Sequence, residues 1–205
     1  MSWIARLTSF FPLIHLVLIG LVLTCFFHQP SLWGLISLPL VVYLLPVAIF
    51  RLHQLIWPLK PGKYDLLAAK YVPWWGSYNF QQTFNTFPMF ENILLLYPPL
   101  FSVWLRLWGA KIGKNVYFTP CLRVLDRPMI RIGDQTLLGF KTSMTSHVIL
   151  PKNGSQWLVV APVTIERDCF IGAYTRIGPG ATVKQGVLLP FQHVVWMNET
   201  VETSP

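Results

Sequence analysis

Three patterns of apolar and polar positions divide the chain. Residues 7–27 are almost wholly apolar and uncharged, His28-Gln29-Pro30 interrupts them, and residues 31–50 form a second apolar run that ends at Arg51. Each run reaches the roughly 20 residues a helix needs to cross a bilayer. The pattern predicts a two-helix transmembrane hairpin over 1–51, with Pro39 and Pro46 kinking its second helix, which membrane helices tolerate. Arg6, Arg51, Lys60 and Lys63 flank the hairpin on one side and the turn has no Lys or Arg, so both ends are expected in the cytoplasm.

Residues 52–108 are rich in aromatics and broken by prolines, as at Trp57-Pro58, Pro73-Trp74-Trp75 and Pro98-Pro99. Trp and Tyr favour the headgroup zone. The segment is read as an interfacial connector, with short amphipathic helices between Phe80 and Leu107. Glu91, Pro98-Pro99 and Arg106 argue against a third span there.

The third pattern is a repeat of six. Ile112, Phe118 and Val124 are six apart, as are Ile132, Leu138 and Met144, and again Ile165, Ile171, Ile177, Val183, Leu189 and Val195. Glycine follows five of these residues. Neither a helix nor a simple strand gives this period. It is the mark of a hexapeptide β-helix, in which each unit supplies one short strand and one turn. Residues 109–205 are assigned to this domain. The aliphatic residue points into the prism, and glycine allows corners where a larger residue would clash or need positive φ. Two extra residues near Arg127–Met129 shift the phase. Residues 147–162 leave the pattern and are expected to form a loop thrown out from one corner, and the tail from Asn198 is expected to fray.

Only 12% of the 205 residues are charged, the net charge is +8, and mean hydropathy is +0.49. The apolar excess lies near the N-terminus and so signals membrane segments. The basic excess suits anionic headgroups or a phosphorylated ligand. Nucleic acid is disfavoured, because the cations are scattered and no binding motif is present. Cys25, Cys121 and Cys169 are odd in number and far apart, with neither a metal pattern nor a disulfide framework. His15 and Cys25 within the first run are read as packing or headgroup contacts.

The aliphatic filling of a prism leaves no room for an internal site, so chemistry belongs on an outer face. His147 stands where the regular coil gives way to the excursion, a position from which an imidazole can take a proton from an attacking hydroxyl or amine. A surface histidine bonded to a loop carbonyl is the alternative. Asp126 follows Val124 by two, His147 follows Met144 by three, and Val124 and Met144 are equivalent in successive coils. Asp126 would then lie a coil away and orient the imidazole, or simply satisfy its own turn. Gly172, Ala173 and Gly178 would let a ligand approach the backbone, and Lys184 would meet a phosphate. Arg167 and Arg176 are further cations, and Trp196 would stack on a purine or cap the prism.

With these residues in view, the C-terminal half resembles the hexapeptide-repeat acyltransferases. The resemblance rests on Ile132-Gly133-Asp134 with Leu138-Gly139, on Ser146-His147 before an excursion, and on Pro162-Val163-Thr164-Ile165 leading into Ile171-Gly172-Ala173 and Ile177-Gly178-Pro179-Gly180-Ala181. Leu59-Lys60-Pro61-Gly62-Lys63-Tyr64 and residues 105–113 look like the connecting segment of membrane-associated members, similar to the terminal acyltransferase-like region of some nonribosomal peptide synthetases. The resemblance implies a mainly β fold, a left-handed parallel β-helix preceded here by the transmembrane hairpin and interfacial helices, although general chirality rules favour the other hand. It implies a homotrimer with sites between adjacent prisms. It implies acetyl-CoA or another acyl-CoA as co-substrate, with no bound cofactor or metal, and His147 as general base. The acceptor would be a membrane-proximal lipid-linked, peptide or glycan molecule, and the protein would be a multi-pass inner-membrane protein with its catalytic domain in the cytoplasm. Phe140 and Lys141 replace the usual small polar residues, and a second loop histidine is missing. A non-catalytic membrane scaffold with a degenerate β-helix is the alternative. A γ-type carbonic anhydrase needs three zinc-binding histidines, and the repeat region holds only His147 and His193.

Overall fold

The computed structural model describes residues 2–152 and 154–205. Asn153, which opens one of two glycosylation sequons in the chain, lies outside them. The described residues form two compact units. One comprises residues up to Leu59 together with Lys70–Thr86, and the other Lys60–Ala69 together with Phe87–Pro205. The stretch 52–108, read above as one connector, thus contributes to both.

The first unit is helical. Helix α1 (Trp3–His28) is capped by the Ser2 hydroxyl, which accepts from Ala5 N. After a short turn, α2 (Leu32–Pro39), a π-helical turn (Leu40–Leu44) and α3 (Leu45–Ile56) follow as one apolar run. Trp3–His28 and Leu32–Ile56 are both long and apolar enough to cross a membrane. Large apolar side chains such as Leu7, Phe10, Leu13, Val17, Leu21 and Leu55 stand exposed along them. The π turn has a local cause. Pro46 has no N–H to donate, and Leu45 N–H turns to Leu40 O. The Val41 carbonyl is left to another donor, and His15 Nε2 supplies it at 3.0 Å. His15 Nδ1 then accepts from Thr83 Oγ1 at 2.9 Å. Helix α4 (Pro73–Thr86) carries Thr83 and packs on α1 and α3. Ser77, Asn79, Gln81 and Thr83 on it are buried, and Gln81 Nε2 donates to Ser77 O and Asn79 Nδ2 to Trp75 O.

The second unit is a parallel β-helix. Its first coil is β2 (Lys111–Ile112), β3 (Tyr117–Phe118) and β4 (Arg123–Val124). Its second is β5 (Ile130–Ile132), β6 (Leu137–Leu138) and β7 (Ser143–Met144). After a hairpin of β8 (His147–Lys152) and β9 (Ser155–Val160), the third coil is β10 (Val163–Ile165), β11 (Phe170–Ile171) and β12 (Arg176–Ile177). The fourth is β13 (Thr182–Val183), β14 (Leu188–Leu189) and β15 (Val194–Val195), and β16 (Thr200–Val201) opens a fifth. Equivalent strands stack into three parallel sheets, β16-β13-β10-β5-β2, β14-β11-β6-β3 and β15-β12-β7-β4. The tail expected to fray from Asn198 instead adds a rung, with Thr200 and Val201 opposite Thr182 and Val183.

The hexad aliphatics fill the prism: Leu138, Met144, Ile171 and Val183 are fully buried. A second residue per hexad, two positions earlier, is buried too, including Thr136, Thr142 and Thr175. These hydroxyls are satisfied by backbone carbonyls, as in Thr142 Oγ1 to Gly139 O at 2.7 Å. The glycines after the aliphatics serve close approach and not positive φ. A Cβ on Gly139 would lie 2.5 Å from Ala173 N in the next coil. The left-handed corners are held mostly by other residues, among them Asn115, Cys121, Lys141, Asp168, Tyr174 and Gln192. The mouth of the prism is covered from the N-terminal side. Helices α5 (Met89–Leu95) and α6 (Pro98–Leu107) precede the first coil, Phe101 meets Phe118 edge-on at 5.0 Å, and Arg106 donates to the Ile112 and Gly113 carbonyls of the edge strand.

The excursion 147–162 is a hairpin where a loop was expected. Strands β8 and β9 pair antiparallel from His147↔Val160 to Lys152↔Ser155. Strand β1 (Gly62–Asp65) pairs on the other side of β9. Asp65 Oδ1 accepts from the Ser155 hydroxyl and from Leu67 and Ala68 N–H.

Candidate functional site

Both interruptions of the hexad fall at one corner of the prism. The turn Arg127–Met129 joins β4 to β5 and the hairpin joins β7 to β10. Since β4 and β7 are stacked neighbours, the residues leaving them are stacked as well. Asp126 leaves β4 in a left-handed conformation (φ 58°, ψ 54°), and His147 begins β8 one coil on. His147 Nδ1 lies 2.5 Å from Asp126 Oδ2, with the carboxylate fully buried and the imidazole 17% exposed. Ser146 N–H donates to the same oxygen at 3.3 Å. The carboxylate accepts the Nδ1 proton, which fixes the tautomer and leaves proton exchange to Nε2.

The turn that follows Asp126 is held by a buried ion pair. Arg127 Nε and Nη2 donate to Glu91 Oε1 and Oε2 at 2.7 and 2.6 Å, and Trp104 Nε1 donates to Glu91 Oε1 at 3.0 Å. Arg127 is 1% and Glu91 4% exposed. A two-point guanidinium–carboxylate pair fixes direction as well as distance, and here it ties α5 and α6 to the turn that presents Asp126. In the sequence Glu91 served only to argue against a span, and Arg127 only as part of a phase shift. The available signal was that the inserted residues begin with an acid and a base, Asp126-Arg127.

The other named residues are spread over the prism. Gly178 lines a largely apolar cavity of about 450 Å³ beside the hairpin, together with Thr145, Val148, Pro179, Trp196 and Met197. Gly172 is buried where coils stack, and Ala173 O accepts from Gln192 N. Lys184 lies at a different corner, where its Nζ donates to Glu166 Oε1 at 3.1 Å. That bond, and then Gln185 N–H, hold the Glu166 carboxyl below its ordinary pKa. Arg167 lies 3.8 Å from Asp168. Among the described residues no group of three or more His, Cys, Asp and Glu is placed to hold a metal ion.

No family model matches the sequence, and neither does any curated protein. Solved structures similar to the chain include a hexapeptide-repeat-containing acetyltransferase from Vibrio cholerae, 15% identical over 60% of this chain and 88% of that one, with a TM-score of 0.41. A structure of that acetyltransferase complexed with acetyl coenzyme A, from Vibrio cholerae O1 biovar eltor, covers 58% and 82% at 15% identity, with a TM-score of 0.37. A maltose O-acetyltransferase from Clostridium difficile 630 covers 57% and 75% at 13% identity, with a TM-score of 0.28.

Proposed function

We propose that the protein is a membrane-anchored acyltransferase that moves an acetyl or other acyl group from CoA to a hydroxyl or amine of a membrane-proximal acceptor. The observation that carries this reading is the contact between His147 Nδ1 and the buried Asp126 carboxylate. Asp126 keeps the Nδ1 proton and stabilises the imidazolium. His147 Nε2 takes the acceptor proton as the acceptor oxygen or nitrogen attacks the thioester carbonyl. Backbone amides near the hairpin stabilise the oxyanion. The C–S bond then breaks, and the CoA thiolate recovers the proton from the imidazolium. Glu91 and Arg127 act as positioning residues through Asp126. Two helices long and apolar enough to span support the anchor. The exposed Met89, Ile93, Leu96, Tyr97 and Leu100 of α5, α6 and their link support a surface bathed in the lipid interface. A homotrimer, with the sites between prisms, is the assembly this reading expects.

The test uses the full chain purified in detergent. Calorimetry measures acetyl-CoA binding, and free-thiol release is followed with a membrane extract as the acceptor source. His147→Ala is expected to keep acetyl-CoA binding within about twofold and to lower thiol release by about 10²–10⁴. Absence of binding to acetyl-CoA and longer acyl-CoAs, or thiol release indifferent to His147, refutes the proposal and favours the scaffold.

A further inference from the structure

Helix α4 follows the two apolar helices inward from their outer ends. At its start, Trp75 Nε1 donates to Ser9 Oγ at 3.0 Å. A Cβ on Gly76 would lie 2.6 Å from His53 Nε2, so α4 passes close to α3 there. Midway, Phe80 meets Phe11 edge-on at 5.1 Å. Near its end, Thr83 Oγ1 donates to His15 Nδ1 at 2.9 Å, and Phe84 stacks on Tyr43 with ring centroids 6.1 Å apart. As α4 advances from Trp75 to Phe84, its partners move from Ser9 to His15 on α1 and from His53 to Tyr43 on the second run.

The two apolar helices give independent measures of how deep that end lies. Counted outward from the turn at His28-Gln29-Pro30, the first Asp, Glu, Lys or Arg residues are Arg6 and Arg51. They mark the headgroup level. His15 is nine residues inside Arg6, and Tyr43 is eight inside Arg51. At about 1.5 Å per residue these are depths of about 14 and 12 Å. Half of the hydrocarbon core is about 15 Å. At the same levels the outer face of α1 is bare and apolar, with Leu13, Ile14 and Val17 exposed. Beyond Ile19 no residue of α1 is buried, and none of α2 is.

Hydrocarbon offers no water to a polar group, so each must be satisfied within the protein. Asn79 Nδ2 donates to Trp75 O, and Gln81 Nε2 donates to Ser77 O and Oγ. His15, fully buried, accepts from Thr83 and donates from Nε2 to Val41 O at 3.0 Å. An imidazole that uses both nitrogens between helices in an apolar setting joins three segments at one point.

We infer that α4 is a re-entrant helix. It enters the hydrocarbon beside the hairpin, in the leaflet on the side of the hairpin's ends, and His15 locks its inner end. The partner of this face is the bilayer, with three helices in that leaflet and two in the other. The inference rests on the membrane-anchored reading, and the test separates the two.

The full chain, with Cys25→Ser and Cys121→Ser, is reconstituted in phosphatidylcholine vesicles with one added cysteine at a time, each spin-labelled. Power saturation with oxygen and a water-soluble nickel chelate reads the depth of each label. Val17→Cys and Leu55→Cys, at exposed positions, set the hydrocarbon and headgroup references. Thr86→Cys, exposed at the end of α4, reports the helix. Its label is expected within about one helical turn, ~5 Å, of the Val17 depth. A Thr86 label as open to nickel as the Leu55 label, with the Val17 label shielded, overturns the inference and leaves the anchor standing. A Val17 label open to nickel defeats the anchor reading and the inference with it. His15→Leu removes both bonds and is expected to move the Thr86 label outward by about 5 Å or more, with the Val17 label unmoved. His15→Gln, whose amide can donate to Val41 O and accept from Thr83, is expected to hold the depth. Equal Thr86 depths in the wild type and His15→Leu overturn the lock.

Discussion

Replacing Glu91 with Gln removes one charge from the buried Glu91–Arg127 pair and little else. Arg127, 1% exposed, would keep its charge and lose the carboxylate that now accepts from its Nε and Nη2. Breaking a buried pair from one side costs about 3–5 kcal/mol, against a total stability of about 5–15 kcal/mol. For a chain of 205 residues each kcal/mol is about 2–4 °C, so the loss is about 6–20 °C in the melting temperature. The double variant Glu91→Gln/Arg127→Met is expected to recover most of it, because it removes both charges together and leaves neither buried without its partner. The glutamine amide also keeps an oxygen for Trp104 Nε1, which now bonds Glu91 Oε1. The assay is thermal melting of the purified chain, followed by near-ultraviolet circular dichroism, for the wild type, the single variants and the double. A Glu91→Gln protein that melts within about 2 °C of wild type would refute the reasoning. So would a double variant that melts no higher than Glu91→Gln alone.

Gly139→Ala would force a Cβ to 2.5 Å from Ala173 N and is expected to cost about 1–3 kcal/mol as an overpacking change, whereas Gly20→Ala, with open space around it, serves as a neutral comparison in the same melting assay. The Asp65 carboxyl is held below its ordinary pKa, chiefly by the Ser155 hydroxyl and then by Leu67 and Ala68 N–H. Its contribution is therefore fully present above the unfolded value of about 4 and is lost as pH falls through the lower folded value. Asp65→Asn is expected to make the acid-side fall in stability shallower, and equal acid titrations of the two proteins would count against this. Burial pushes the Cys169 thiol up and leaves it 3% exposed, so native-state maleimide labelling followed by mass spectrometry is expected to modify Cys121 and spare Cys169.

Elements whose burial repeats locally were legible in the order of residues alone. One aliphatic residue in six must face the prism interior, so the period survives every change of exposed residue, and the β-helix could be read from Ile112 to Val195. The two long apolar helices were equally legible, because length and composition alone decide whether a helix can span a bilayer. Features that depend on partners far apart in the chain emerge only on folding. Strand β1 finds β9 across some ninety residues, a pairing with no periodic trace. The 147–162 hairpin did carry a local sign, Asn153-Gly154 between apolar stretches, but its role in closing a three-stranded sheet did not show. Glu91 and Arg127 are isolated charges, and only the fold of α5 against the first coil makes them a buried pair. The register placed Asp126 and His147 on neighbouring rungs. That they meet, with the carboxylate buried and the imidazole at the surface, follows from both hexad interruptions falling at one corner. The last coil was missed because its single interior residue, Val201, sits in a polar tail, where one burial event gives no period to read.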